Sequence, residues 1–404
     1  MTKQALLYIS YDGMLEPLGQ SQVLAYLTRL AQNHKIHLIS FEKIEEWADE
    51  NTRERILKII VSAGITWHPL RYHKRPSALA TSWDIFCGIS LSFWLVRRNK
   101  INIIHARSYV ASVMALTVKR LTGIKYIFDM RGFWADERVD GGLWPRNGSL
   151  FRIAKNFERR FLLSADHVVS LTYAAHHELQ QFDYLKLQMP PITVIPTCTD
   201  LDLFKPDEKY NRSIEKGAQF FKIGYVGSVN VSYMFDETLS FFKLILKSIP
   251  NARLHILNRS DHEYIQERLT FHQINPTSIL LEKASHGDVA QAMNTMDAGI
   301  FFIKKVYSKI ASAPTKLGEF LGCGIPCIGN SGVGDMAAIL EKEHVGVAIK
   351  DFSENAMREA VDRIITLSRE PDIKQRCRKV AIKHFSLDLG VARYSEIYNS
   401  LLIK

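Results

Sequence analysis

The chain has 404 residues, 47% of them hydrophobic and 23% charged, with a formal net charge of +10. That length is too great for one hydrophobic core and suits two domains of about 200 residues each, and the composition excludes a disordered or fibrous chain. The positive excess is uneven, since residues 1–200 hold 25 Lys/Arg against 18 Asp/Glu and the remainder 27 against 24.

The opening MTKQALLYIS runs directly into a strand-like segment, without the basic start, apolar core and cleavage site of a secretory signal. Short apolar runs then alternate with longer amphipathic ones. Strands are expected at 5–10, 36–41, 65–70, 101–105, 126–130, 167–171 and 192–196, with helices over 20–32, 46–63, 109–121 and 150–163 between them. After the first strand, Gly19 opens a helix, and Gln20 and Ser21 offer donors; a plain strand-to-helix turn reads the same way.

Residues 79–98 are the most apolar stretch, but Asp84 and small polar residues interrupt it before the roughly 18 to 20 apolar residues a spanning helix needs. It contains Trp83, Phe86, Phe93 and Trp94, ends in Arg97 and Arg98, and follows Arg71, His73, Lys74 and Arg75. Two readings fit: a core helix with a solvated basic end, or a peripheral surface for an anionic membrane or a phosphorylated lipid acceptor. Nucleic acid is not expected as a partner, because no recognisable binding motif accompanies the charge.

His105 and Arg107 end the fourth strand, where a histidine serves either as a hydrogen-bonded structural residue or as a proton carrier. The segment 128–142, FDMRGFWADERVDGG, places Asp129, Arg131, Trp134, Asp136 and Glu137 in a glycine-punctuated loop at a strand end, more than a turn requires. A polar segment at 199–219 marks the domain boundary.

The second half restarts the alternation, with strands at 222–226, 253–257, 279–282, 298–303, 326–329 and 346–349 and a helical pattern over 353–404. The expected class is α/β, with two doubly wound parallel sheets facing across a cleft, where ligands bind beyond the strands' carboxyl ends. Gly227 and Ser228, after the first strand of this half, let backbone approach a phosphate. The run 312–330, SAPTKLGEFLGCGIPCIGN, spaces Lys316 and Glu319 three apart on one helical face. Pro314 suits the first turn. Free helix N–H groups, the Thr315 hydroxyl and the Lys316 ammonium suit a diphosphate, and the Glu319 carboxylate suits a ribose diol. An ordinary surface ion pair has the same spacing. The five cysteines, Cys87, Cys198, Cys323, Cys327 and Cys377, are scattered and point to a reducing, cytoplasmic setting; no His or Cys cluster beside Cys323 and Cys327 suggests a metal.

The 312–330 run resembles the donor-nucleotide motif of the retaining glycosyltransferases of family 4, two-domain enzymes of the GT-B fold, in the branch with a PTKL form. The family's fuller pattern has two glutamates eight apart; Glu319 matches the second and Ala311 stands at the first. The resemblance implies domains at 1–200 and 221–384, a linker at 201–220, and a last helix, 385–404, returning to the first domain. It implies donor contacts from Gly19, Gln20, Gly227, Ser228, Ser312, Pro314, Thr315, Leu317 and, in a base-reading loop, Ala284. Arg131 and Trp134 match an acceptor-side loop in which Gly132 replaces the family's Asp, leaving Asp129, Asp136 and Glu137 as candidates by proximity. The Arg and Lys common after Gly227 are absent, so Lys316 carries the leaving diphosphate, with Arg131 or Arg259 as helpers and His105 a further catalytic candidate.

The implied activity is metal-independent transfer of a sugar from a nucleotide-sugar to a glycan or lipid-linked acceptor, with no cofactor, as in lipopolysaccharide or capsule synthesis. A nucleotide-sugar 2-epimerase and a non-catalytic nucleotide- or sugar-binding regulator remain alternatives. No GxGxxG follows either first strand, which disfavours a dinucleotide oxidoreductase.

Overall fold

The computed structural model describes residues 3–207, 209, 220–229, 232–283 and 286–402. It divides into two compact units, Met1–Pro196 with Leu387–Lys404, and Thr197–Ser386. The first holds a seven-stranded sheet in the order β3-β2-β1-β4-β5-β6-β7. Its strands are β1 Ala5–Ser10, β2 Lys35–Glu42, β3 Thr66–Arg71, β4 Ile103–Arg107, β5 Lys125–Asp129, β6 His167–Ser170 and β7 Ile192–Val194. The second holds six, in the order β10-β9-β8-β11-β12-β13: β8 Lys222–Val226, β9 Arg253–Leu257, β10 Ile279–Glu282, β11 Ala298–Ile300, β12 Cys327–Asn330 and β13 Gly346–Ile349. Every strand pair is parallel. Helices on both faces bury the central strands, which is why these read as near-continuous apolar runs.

Three details differ from the sequence expectation. Strand β4 runs to Arg107, because its pairing with β1 and β5 aligns Arg107 with Ser10 and Asp129. The helix expected over 46–63 is two, Ile44–Trp47 and Glu50–Ser62, since Asp49 caps the second through the Thr52 N–H at 3.2 Å. The helix expected from Gln20 begins at Pro17 and passes through a π-type turn at Gln20–Leu24.

Gly19 is required there by contact rather than by φ. A Cβ on it would lie 1.9 Å from the Gly13 carbonyl oxygen. Gly19→Ala therefore forces the first helix off its loop and is expected to cost about 3 kcal/mol, measured as a lowered unfolding midpoint; an unchanged midpoint would show that the loop is not packed this way.

In the second unit, Thr315–Gly322 forms a helix pressed on residues 199–204. A Cβ at Gly318 would meet Thr199 Oγ1 at 2.5 Å, and one at Gly322 the Phe204 carbonyl at 2.8 Å. Arg378 fastens the same place by donating to the carbonyls of Leu201, Phe204 and Gly322. Cys323 and Cys327 are free thiols buried in this core.

Candidate active site

Strand order in the second unit reverses between β8 and β11, the position at which open α/β sheets take ligands. β8 is followed there by Gly227, whose φ of 103° suits glycine and whose carbonyl accepts from the buried Asn258 amide at 2.9 Å. Lys316 crosses this glycine. A Cβ at Gly227 would fall 2.9 Å from Lys316 Cε and 3.0 Å from Nζ, so only a bare Cα leaves room for the ammonium.

The Lys316 side chain is not a surface one. The residue is 8% exposed, its Nζ lies 3.7 Å from the Tyr233 ring centroid and 5.3 Å from that of Tyr225, and it has no hydrogen-bond acceptor among the described residues. Three N–H donors thus face two aromatic rings and no oxygen. Burial pushes the Lys316 pKa down to about 7, against the pull of the Glu319 charge, and burial also pushes Glu319 up to about 7. The pair expected from the 316/319 spacing therefore has Lys316 buried and Glu319 half-buried, both poised near neutrality. An anion placed beside Nζ would return Lys316 to its charged form.

Around it, Ser312, Pro314 and Thr315 are partly exposed and open the helix, with Pro314 at the cap position rather than inside the first turn and no side chain capping the start. Ser228 is exposed, and its carbonyl accepts from Tyr225 Oη at 2.6 Å. Leu317 does not join this group: its side chain lies in the core with Phe301 and Phe320, on the opposite face from Glu319 by helical periodicity. Arg259 is exposed just after β9. Ala284 lies outside the described residues. Sequence reading missed Asn330, whose side chain clamps both the N–H and the C=O of Ile303 at 2.8 Å and fixes the chain leaving β11.

The first unit gathers a different cluster at its own reversal, between β1 and β4. Asp129 is fully buried, accepts from Tyr394 Oη at 3.0 Å, and lies 3.5 Å from His105 Nε2 and 3.9 Å from Arg131 Nη1. Burial pushes its pKa up, but the Arg131 guanidinium and His105 outweigh this and hold it below the usual carboxylate range. His105 bonds Tyr398 Oη through Nδ1 at 2.7 Å and packs on the Tyr8 ring at 4.4 Å. Burial lowers its pKa. A fully buried imidazole enclosed in this way positions Asp129 and, through it, Arg131. Arg131 takes a left-handed backbone, φ 56°. The tyrosine pair comes from the helix Leu387–Leu402, where spacing by four puts both on one face.

Other acceptor-side candidates divide. Trp134 is partly exposed, tilted against Tyr109 and edge-on to Trp144 with Arg138 over its face, and Glu137 lies partly exposed on the same helix, Trp134–Asp140. Asp136 is buried and bonded by Lys155 Nζ at 2.9 Å, which also pairs with Glu158, so it holds that helix to its neighbour. Gln20 is likewise committed to scaffold, donating to the Leu15 carbonyl and accepting from Arg55, each at 2.9 Å. The loop Met14–Leu15 is held by a residue not singled out in the sequence, Glu42, whose carboxylate accepts from both backbone N–H groups at 2.8 and 3.2 Å. Beside it a cavity of about 410 Å³ is lined by Glu42, Trp47, Pro69, Leu70 and Arg71.

Comparison with known proteins agrees with this architecture. Residues 19–203 match the model of Glycosyltransferase Family 4. Sucrose-phosphate synthase from Thermosynechococcus elongatus superposes with a TM-score of 0.72 at 13% identity, covering 99% of each chain. Anabaena Alr3699/HepE, solved in complex with UDP, gives 0.70 at 12% identity over 98% of this chain and all of that one. The lipopolysaccharide outer core galactosyltransferase WaaB gives 0.64 at 13% identity over 99% and 100%. No curated protein matches in sequence. With two doubly wound parallel sheets, the chain has the GT-B fold of these structures, and residues 19–203 are similar to Glycosyltransferase Family 4.

Proposed function

We propose that the chain is a retaining, metal-independent transferase that moves a sugar from a uridine diphosphate sugar to a hydroxyl of a growing glycan or lipid-linked saccharide in cell-surface polysaccharide synthesis. The observation that carries this reading is the Lys316 ammonium, buried over the bare Gly227 Cα with no oxygen to serve among the described residues. A diphosphate supplies those oxygens, and the start of the helix Thr315–Gly322 adds N–H groups and the positive end of its dipole. As the glycosidic bond to phosphate breaks, charge develops on the leaving oxygen, and a preorganised cation there stabilises that charge more than it stabilises the ground state. The acceptor proton passes to the departing phosphate oxygen on the same face of the sugar, so Gly132 in place of a carboxylate is no obstacle. Glu319 takes the ribose hydroxyls.

The uridine assignment is supported by the HepE complexes with UDP and with UDP-glucose, and the polysaccharide assignment by WaaB. In the first unit, the Trp134 face, Arg131 and the cavity at Trp47 supply apolar and cationic surface for a saccharide acceptor. The family match and the transferases among the relatives favour this reading over a 2-epimerase or a non-catalytic regulator. The five free thiols suit a cytoplasmic enzyme.

A thermal-shift series with UDP, GDP, dTDP, CMP and ADP, in excess chelator, tests the donor assignment. UDP at about a hundred times its Kd is expected to add about 2.7 kcal/mol of stability, and the other bases less at equal concentration. A shift that needs magnesium would overturn metal independence, and one larger for another base would overturn the uridine assignment.

A further inference from the structure

The helix Ser77–Asn99 is fastened to the first unit along one side and carries an unpartnered apolar stripe on the other. On the inner side, buried Asp84 accepts from Tyr11 Oη at 2.8 Å and from the His73 backbone N–H at 3.1 Å, and pairs with His73 Nδ1 at 2.6 Å. Gly88 brings the helix against Met114 and Phe41, where a Cβ would fall 2.4 Å from the Met114 sulfur. The stretch Ala78–Asn99 is long and apolar enough to cross a membrane, with a mean hydropathy of 1.4. These inner contacts forbid that: lipid cannot surround a helix whose carboxylate is bonded to the loops after β1 and after β3.

The outer side is of another kind. Leu79, Trp83, Phe86 and Trp94 are 71%, 56%, 59% and 50% exposed. Steps of four, three and eight residues put them on one helical stripe. Arg97 and Arg98 close its far end, with guanidiniums 5.2 and 5.0 Å from the Phe93 and Trp94 rings, and exposed Arg71, Lys74 and Arg75 lie just before its near end. Among the described residues the only ion pair of this segment is His73 with Asp84, so all five cations lack a carboxylate.

We infer that this face seats the chain on an anionic lipid bilayer, with the helix parallel to the surface, the aromatic side chains at the boundary of headgroups and acyl chains, and the five cations on lipid phosphates. Tryptophan and arginine side chains carry apolar bodies with polar tips, which suits that boundary. A second copy of the chain is a poor occupant, because a two-fold contact sets the same patch against itself and brings like charges together. Nucleic acid would leave Leu79 without a role. The inference is independent of the donor reading.

Sedimentation of the full chain with phosphatidylcholine vesicles, with and without phosphatidylglycerol, tests it. The chain is expected to bind the anionic vesicles. Trp83→Ser with Trp94→Ser should weaken binding about tenfold or more, and Arg97→Gln should weaken it about fivefold. The melting temperature should stay unchanged in every variant, since the side chains are exposed. Absence from the anionic vesicle pellet would overturn the inference, as would binding indifferent to these substitutions. So would a dimer in sedimentation velocity that the double Trp variant dissolves, because a second copy would then cover the face.

Discussion

Lys316→Ala is expected to lower transfer by about 10²- to 10³-fold while leaving the fold intact or firmer. Two properties of the site lead to opposite effects on activity and stability. The ammonium is the cation nearest the predicted phosphate position, so its loss removes stabilisation of the leaving group. In the free protein the same ammonium is buried without an oxygen partner among the described residues, a cost that the fold bears. Lys316→Met keeps the length of the side chain and its contact with the Tyr233 ring while removing the charge, and is expected to raise stability by about 1–4 kcal/mol. The pH dependence has a definite sign. With a folded pKa of about 7 against an ordinary 10.5, folded Lys316 binds fewer protons than unfolded Lys316 in that window, so it adds stability as pH rises from 7 to 10.5. Glu319, raised from 4.5 to about 7, acts oppositely, adding stability below 4.5 that is lost as pH rises through 7. Unfolding midpoints of wild type and Lys316→Met across pH 5 to 10, set by these windows, should converge toward alkaline pH. Parallel curves would contradict a buried, depressed ammonium.

Asp129→Ala is expected to be the most destabilising change in the first unit, by about 3–5 kcal/mol. It strands the Arg131 guanidinium, leaves Tyr394 Oη without its acceptor, and removes the charge that faces His105. At roughly 2–4 °C per kcal/mol for a unit of this size, the melting point falls by about 6–20 °C. Asp129→Asn separates charge from shape: it can keep the bond from Tyr394, so it should recover only part of the loss if Arg131 needs a counter-charge. Complete recovery by asparagine would show that the bond to Tyr394 matters and the charge does not. Because the folded pKa is depressed, this contribution is fully present above the ordinary carboxylate range and lost as pH falls below it.

The two sheets were legible because parallel strands buried on both faces are written as local apolar runs, and the turn chemistry between them is local too. Lys316 with Glu319 was legible as a spacing. Its depth was not, since Gly227 and Tyr233, which surround the ammonium, are far away in the chain and carry no mark of the contact. Glu42 shows the same limit: a lone acidic residue at the end of an apolar strand reads as a solvated charge, yet it holds the loop at Met14 and Leu15 through backbone donors that no side-chain pattern records. His105 at a strand end left a structural and a catalytic role open. Its enclosure depends on Tyr394 and Tyr398, whose i, i+4 spacing in the last helix was the available signal. Asp84 was read as an interruption of an apolar stretch, and the structure makes it the anchor of that helix.

The central claim is that the Lys316 ammonium meets the donor diphosphate, and calorimetry of UDP binding at about pH 8 tests it directly, in two buffers of different ionisation enthalpy. At that pH Lys316 is mostly neutral and Glu319 already mostly ionised. Binding should therefore take up close to one proton per UDP in the wild type and none in Lys316→Met. Equal proton uptake in the two proteins would contradict the assignment of Lys316 to the diphosphate.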